Sequence, residues 1–165
     1  FAFARANGVR TVLDVAGVAA GSGPATLAPV LPHVDAFLPN DDEAGLLTGE
    51  TDPVRQARRF VDLGAGTAVV TRGGDGLVAA TRDGAWTAGA FAVDVVDASG
   101  SGDAFDAGYI VGLLEGWDLG RTLAFASAIG ASCCTRLGTT AGVFTRAEAE
   151  TFLASHPFAL EEASP

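Results

Sequence analysis

The sequence is poor in basic residues, and this shortage limits what the protein can bind. Ten arginines, with no lysine, stand against 20 aspartates and glutamates in 165 residues, so the formal net charge is −10. A protein that binds the phosphate backbone of a nucleic acid needs clustered cations to displace the counterions of that backbone. We therefore exclude a nucleic-acid-binding protein.

Cysteine, methionine and long apolar runs are also scarce. The only cysteines are Cys133 and Cys134, and two neighbours cannot link distant segments, so we interpret them as packing residues and expect a reducing, cytoplasmic setting. No apolar run reaches the roughly 18 residues of a membrane-spanning helix. Methionine is absent and the chain begins at Phe1, so we expect a piece of a longer protein that lacks an N-terminal portion.

The alternation of apolar runs with helical patterns predicts an α/β protein with a mainly parallel sheet. Strands are predicted over residues 11–15, 35–38, 67–71, 76–81, 85–87 and 91–96. The Asp-Gly pair at 83–84 favours a tight turn, so the fourth and fifth of these are predicted to form a hairpin. Helices are predicted over residues 40–49, 52–64, 103–114 and 121–135, and from Thr145 onward. The helix over 103–114 is apolar nearly all round, so we expect it to be buried. No repeat or linker divides the chain, and we expect residues 1–165 to belong to one domain.

The most informative segment is a strand, a glycine loop and a helix over residues 91–114. Gly100, Ser101 and Gly102 are small enough for their N–H groups to turn toward one point. The following helix directs its positive N-terminal end at the same point. Together they predict an anion site that suits phosphate. The loop is neither a Walker sequence nor a dinucleotide fingerprint, because no Lys follows and Phe105 replaces the third glycine.

Asp103 is unexpected beside such a site, because a carboxylate repels the anion that the loop attracts. One interpretation is an acidic first-turn residue that stabilises the positive end of its helix. The other is a base that takes the proton from a hydroxyl while the hydroxyl attacks a phosphoryl group held in the loop. From the residues alone, both interpretations stay open.

Three motifs, in the expected order, resemble those of the ribokinase-like (PfkB) carbohydrate kinases. The run from Asp97 to Gly108, D-A-S-G-S-G-D-A-F-D-A-G, resembles the family signature D-T-x-G-A-G-D-x-F-x-x-G. The segment from Asn40 to Glu43 resembles its N-x-x-E segment, and Thr71 to Gly76 resembles its T-x-G-x-x-G nucleotide loop. The resemblance covers nearly the whole chain, but only about the C-terminal half of the usual family length.

The resemblance implies a ribokinase-like three-layer α/β/α fold with a mainly parallel sheet, its N-terminal part missing. Residues 1–165 would be the C-terminal nucleotide-binding and catalytic part of a single domain. The implied activity is an ATP-dependent phosphotransferase, a carbohydrate kinase that phosphorylates a sugar hydroxyl with ATP and Mg²⁺. Its partners would be ATP and a small sugar, with a homodimer formed through the missing N-terminal lid.

The resemblance also implies roles for individual residues. Asp103 would be the catalytic base, beside an anion hole made by the amides of Gly100, Ser101 and Gly102. Asn40 and Glu43 would order Mg²⁺, with Glu43 acting through water. The remaining nucleotide-binding residues would be Thr71, Gly73, Gly74, Gly76 and, at the adenine, Ser127.

In some members of the family, a potassium ion lies beside the glycine loop. Asp97 and Ser99 match two of its ligands, and later ligands fall near Cys133, Arg136, Gly138 and Gly142. Ala98 stands where the family usually has threonine, and Ser101 where it has alanine. Neither departure touches the base, although Ala98 removes a hydroxyl near the expected potassium ion.

Two alternative functions stay open at this point. A catalytically incompetent nucleotide-binding fragment is one, because the family's N-terminal half supplies most of the substrate pocket and its lid. A nucleoside or pyridoxal-type kinase of the same fold is the other. The sequence does not name the sugar.

Overall fold

A computed structural model describes residues 1–19 and 21–163 and shows a six-stranded sheet with accompanying helices. The helices are α1 Ala2–Ala6, α2 Pro24–Leu27, α3 Asp41–Thr48, α4 Pro53–Asp62, α5 Ser101–Glu115, α6 Leu119–Cys133 and α7 Arg146–Ser155. The strands are β1 Val12–Leu13, β2 Ala36–Phe37, β3 Thr67–Thr71, β4 Leu77–Thr81, β5 Gly84–Ala88 and β6 Glu161–Glu162. Short 3₁₀ turns cover Leu31–His33 and Gly73–Asp75.

The order of the strands in the sheet follows their order in the chain. The pairs β1–β2 and β2–β3 are parallel, whereas β3–β4, β4–β5 and β5–β6 are antiparallel. The sheet is therefore mixed. The predicted parallel pairing lies in its first three strands, and the predicted hairpin β4–β5, together with β6, makes the antiparallel part.

The chain divides into two compact units, one made of Phe1–Ala88 with the C-terminal residues from Glu161, the other of Gly89–Leu160. In the first unit, the ring of Phe60 on α4 meets that of Phe37 on β2 edge-on at 4.8 Å, and both side chains are fully buried. In the second unit, a Cβ added to Gly108 of α5 would lie 2.7 Å from the Cα of Ala126 on α6. Glycine on α5 therefore allows the two helices to approach backbone to backbone.

The predicted strand over residues 91–96 is wrong, because the segment forms no strand. The N–H of Val96 donates to the carbonyl of Cys134 at 2.8 Å, and that of Asp97 approaches the same carbonyl at 3.2 Å. Phe91 packs against Phe152 of α7, with ring centroids 5.1 Å apart. The ring of Phe91 therefore packs on α7 and the backbone of Val96 bonds to the end of α6, while the side chains of Val95 and Val96 are 66% and 62% exposed and the segment does not pair in the sheet.

The prediction that the helix over 103–114 is buried holds for only part of its surface. Its buried residues are Ala104, Phe105, Gly108, Tyr109 and Gly112. The side chains of Ile110 and Leu114 are 39% and 77% exposed. The helix buries the face that carries Gly108 and Gly112, and an apolar composition does not tell which face meets a neighbour.

Candidate active site

Asn40 and Thr71 lie side by side at the ends of two parallel strands of the first unit. The Thr71 N–H donates to the Pro39 carbonyl at 3.0 Å, and Asn40 forms a parallel bridge with Thr71. The first residue of the N-x-x-E segment and the first residue of the nucleotide loop are therefore neighbours in space. The carboxyl ends of parallel strands are where ligands bind in open α/β sheets.

Asn40 and Glu43 hold each other at the start of α3. The Glu43 N–H donates to Asn40 Oδ1 at 2.9 Å, and the Asn40 N–H donates to Glu43 Oε2 at 3.0 Å, which is a capping box. Burial raises the pKa of Glu43, and the charges of Asp14 and Asp42 raise it further, against the lowering effect of the Asn40 hydrogen bonds.

Asp14 is a candidate site residue that the sequence analysis missed. It directly follows β1, and its carboxylate is close enough to raise the pKa of Glu43. An acidic residue at the carboxyl end of a predicted parallel strand is the signal that could have identified it.

The nucleotide loop is closed by its own backbone. The Arg72 N–H donates to the Gly76 carbonyl at 2.8 Å, and the Gly76 N–H donates to the Gly73 carbonyl at 3.1 Å. Gly73 and Gly76 have φ of +51° and +85°, which favours glycine. A Cβ at Gly73 or Gly74 would meet nothing within 4 Å, so the loop backbone is open to a ligand.

In the second unit, Gly100 begins α5 in the left-handed conformation, with φ +79°, and no side chain caps the helix. The Ser101 N–H donates to the Ala98 carbonyl at 3.2 Å, and the Ala104 N–H donates to the Gly100 carbonyl at 2.9 Å. Helix geometry leaves the amides of Gly102 and Asp103 without acceptors inside the helix. Asp103 is exposed in this first turn, and a Cβ at Gly102 would meet nothing within 4 Å, so the N-terminus of α5 is open.

Asp97 fastens the loop that leads into α5. Its Oδ1 accepts the Ser99 N–H and its Oδ2 accepts the Gly138 N–H, both at 2.9 Å. The amides of Gly138 and Ser99 hold the pKa of Asp97 below its usual range. Gly138 is one of the residues expected near the potassium ion, so the structure brings these parts of the predicted site together.

The other predicted residues of the second unit lie on α6 and after it. Ser127 is half-buried on α6, and Arg136 is exposed. Gly142 is buried, and a Cβ there would overlap the Ser132 carbonyl oxygen. The predicted site residues thus fall into two sets: Asn40 to Gly76 belong to the first compact unit, and Asp97 to Gly142 to the second.

The donor atoms fit the expected ions in chemical type. Among the described residues, no three His, Cys, Asp or Glu side chains are grouped closely enough to hold a metal ion alone. Mg²⁺ is commonly held by one or two carboxylates together with water and substrate phosphates, and Glu43 with Asp14 meets that requirement. The carboxylate of Asp97 and the carbonyl of Ser99 are oxygen donors with a second lone pair each, which suits a monovalent cation.

Comparison with known proteins identifies the family. Residues 1–146 match the family described as pfkB family carbohydrate kinase. The chain belongs to this family. A ribokinase of Haemophilus influenzae is 31% identical over 157 residues, which cover 91% of this chain and 49% of the relative. An ATP-dependent 6-phosphofructokinase of Thermoanaerobacterium thermosaccharolyticum is 33% identical over 102 residues, 62% of this chain and 32% of that protein.

Solved structures show that this pfkB-family chain has a ribokinase-like α/β fold. An Escherichia coli protein in complex with ATP and Mg²⁺ matches with a TM-score of 0.80 and 28% identity, covering 94% of this chain and 52% of the other. Aminoimidazole riboside kinase from Salmonella enterica, in complex with aminoimidazole riboside and an ATP analogue, matches with a TM-score of 0.80 and 28% identity, covering 91% and 54%. The predicted fold class is confirmed, and the chain spans about half the length of these proteins.

Within the described residues, no helix of this pfkB-family chain combines the length and the hydropathy that crossing a bilayer needs.

Proposed function

We propose that the protein is an ATP-dependent sugar kinase that transfers the γ-phosphoryl group of ATP to a sugar hydroxyl. The observation that carries the proposal is the exposed carboxylate of Asp103 in the first turn of α5, three residues after Gly100, which begins the helix without a side-chain cap. A carboxylate beside open backbone amides can accept a hydroxyl proton while those amides stabilise the charge of the phosphoryl group.

In the proposed chemical step, the carboxylate of Asp103 is the base. The sugar hydroxyl gives its proton to the carboxylate of Asp103 while its oxygen forms a bond to the γ-phosphorus and the bond to ADP breaks. The amides of Gly100, Ser101 and Gly102 form the anion hole for the migrating group. This division of labour suits phosphoryl transfer, in which positioning and charge stabilisation supply most of the catalysis.

The remaining predicted residues hold the nucleotide and the ions. Asn40 and Glu43, with Asp14, order Mg²⁺, which when bound neutralises charge on the phosphates. The proposed ATP contacts are Thr71, Gly73, Gly74, Gly76 and, at the adenine, Ser127. Asp97 and Ser99 are the proposed ligands of a potassium ion.

The substrate class and the setting of the whole protein are part of the proposal. The ribokinase and 6-phosphofructokinase relatives favour a sugar or sugar phosphate as the acceptor, over a pyridoxal-type substrate. The adjacent Cys133 and Cys134 are both free thiols, which supports a reducing cytoplasm. The single domain formed by residues 1–165 and the homodimer through an N-terminal lid stay predictions.

The test compares Asp103→Asn with Asp94→Asn, an exposed aspartate outside the motifs. Transfer of labelled phosphate from ATP to ribose, fructose 6-phosphate or fructoselysine is measured, and ATP affinity is measured by calorimetry. Asp103→Asn should lose at least about a hundredfold of the transfer rate, as expected for a lost base, with little change in ATP affinity. Asp94→Asn should match the wild type.

Three results would count against parts of this proposal. A transfer rate for Asp103→Asn within about tenfold of the wild type would remove Asp103 from the role of base. A wild type that binds ATP but phosphorylates none of the sugars would favour the catalytically incompetent nucleotide-binding fragment. Phosphorylation of a nucleoside in preference to the sugars would favour the nucleoside kinase.

A further inference from the structure

Cys133 lies where the loop before α5 meets the segment after α6. Its side chain is fully buried at the last residue of α6. Its Sγ lies 3.2 Å from the carbonyl oxygen of Thr139 and 3.5 Å from that of Ser99. The thiol therefore donates toward one acceptor in each of two segments that are distant in the sequence.

The same two segments meet at further points. The carboxylate of Asp97 in the first segment accepts the Gly138 N–H of the second. A Cβ at Gly100 would lie 2.8 Å from the Cβ and 2.9 Å from the oxygen of Thr139, so these segments are in backbone contact. A displacement of Thr139 would therefore displace Gly100, the residue from which α5 begins.

The thiol hydrogen is needed at this place. Two carbonyl oxygens that face one buried atom need a donor there, and the thiol supplies one hydrogen. A packing residue of equal size without a donor would leave both carbonyls facing an apolar group.

We propose that Cys133 is a positioning residue for the glycine loop: its thiol, held between the carbonyls of Ser99 and Thr139, keeps the amides of residues 100–102 in the arrangement that binds nucleotide phosphates. The inference rests on the proposed function, because it assigns phosphate binding to those amides. Cys133 touches no ligand in this role. It acts through the Ser99 carbonyl in the loop and through Thr139, which contacts Gly100.

The test measures how strongly the protein distinguishes ATP from adenosine. Calorimetry gives the affinity of the wild type and of Cys133→Ala, Cys133→Ser and Cys134→Ala for ATP with Mg²⁺ and for adenosine. Adenosine lacks the phosphates, so a loss confined to ATP reports on the glycine loop. A general loss of folding would weaken both ligands together.

Cys134→Ala is the matched control. Cys134 is a thiol in the same turn, but within the described part of the chain its Sγ approaches only the Gly130 carbonyl of α6, at 3.6 Å. Its backbone carbonyl, which Val96 contacts, is kept in the alanine variant.

The expected pattern distinguishes the effect of the thiol as a hydrogen-bond donor from the effect of the side-chain volume of Cys133. Cys133→Ala should weaken ATP binding about fivefold, the size of one lost hydrogen bond, with adenosine nearly unchanged. Cys133→Ser supplies a stronger donor in a similar volume and should restore ATP binding, while Cys134→Ala should match the wild type. If Cys133→Ala does not fold, Cys133→Val fills the volume without a donor and should show the same selective loss.

Several outcomes would overturn the inference. Undiminished ATP affinity in the donor-free variants would do so, as would equal losses for ATP and adenosine or a serine variant as weak as alanine. A wild type that binds adenosine but shows no gain from the phosphates would instead contradict the proposed function, and the positioning role with it.

Discussion

The charge of Glu43 has opposite effects on the fold and on the proposed binding of Mg²⁺: it destabilises the fold, but a cation needs it. Its pKa is raised by burial and by Asp14 and Asp42, so ionisation costs folding free energy. Stability from a carboxyl group whose pKa is raised is present at low pH and is lost as the pH rises through the folded-state pKa. At neutral pH, Glu43 therefore weakens the fold.

Glu43→Gln should accordingly be more stable than the wild type at pH 7. Glutamine keeps an oxygen that can accept the Asn40 N–H, and it removes the charge that Asp14 and Asp42 oppose. The difference should shrink as the pH falls through the raised folded-state pKa of Glu43, and it should vanish well below about 4.3, where the side chain is neutral in both the folded and the unfolded protein. Urea unfolding at a series of pH values measures it. A variant less stable than the wild type at pH 7 would show that the charge supports the capping box.

Asp97 presents the opposite case. Its carboxylate accepts two backbone amides, which hold its pKa low, so its charge supports the fold at neutral pH. Between Glu43 and Asp97, Glu43 is the one whose charge other carboxylates oppose, so a cation relieves repulsion there. At Asp97, a cation would add to bonds that the chain already makes.

At the scale of elements, α3 is held in place by a buried side chain of α4. Gln56 is 3% exposed, and its Nε2 donates to the carbonyl of Glu50 at 2.9 Å and more weakly to that of Asp41 at 3.3 Å. One amide therefore contacts the backbone at the first residue of α3 and just beyond its end. Because Asn40 and Glu43 start α3, this contact also supports the proposed magnesium residues.

Gln56→Met should destabilise the protein by about 1–2 kcal/mol, because methionine keeps the length of the side chain but leaves the two carbonyls without a donor. The loss is limited because Gln56 Oε1 has no hydrogen-bond partner within the described residues, so its removal costs nothing. Arg55→Ala is the control. It removes an exposed 3.7 Å ion pair with Asp52, which is worth about 0.5 kcal/mol or less. Equal unfolding midpoints in urea for Gln56→Met and the wild type would contradict this role.

The elements that could be predicted from the sequence are those whose ends depend on near neighbours. The start of α3 is fixed by Asn40 and Glu43, and that of α7 by Thr145 and Glu148, each pair three residues apart. β3 was predicted at its observed bounds because its buried run is apolar and β-branched. Turn chemistry at Asp83-Gly84 likewise located the β4–β5 hairpin.

Features that depend on residues far away in the chain could not be predicted from local patterns, although the family resemblance placed Cys133 and Gly138 near Asp97 and Ser99. The hydrogen bond from Gly138 to Asp97 joins residues 41 positions apart, and the contact of Cys133 with Ser99 spans 34. No local pattern marks such partners. For the same reason, residues 91–96 were predicted as a strand, since their contacts with Cys134 and Phe152 are invisible in the sequence around them.

At the scale of the whole molecule, the net charge of −10 opposes the binding of any nucleoside triphosphate. This opposition has two parts that differ in range. Dispersed surface charges act over distance and are screened by salt, with a Debye length of about 10 Å at 0.1 M and about 3 Å at 1 M. Glu43 and Asp14, at the ends of the strands, would act at short range, where salt screens less.

Removing Mg²⁺ should therefore lower the affinity for ATP, and added salt should restore only part of that affinity. We expect EDTA to lower ATP affinity at least about tenfold in 0.05 M NaCl, and 0.5 M NaCl to recover only part of the loss. The reason is that salt screens distant charges more than it screens the carboxylates proposed to hold magnesium. Calorimetric titrations with ionic strength matched between the Mg²⁺ and EDTA samples measure both effects. Glu43→Gln should narrow the gap, because it removes a carboxylate that magnesium is proposed to neutralise. Full recovery of affinity by salt alone would mean that magnesium acts only on the overall charge, and it would remove Glu43 from the magnesium site.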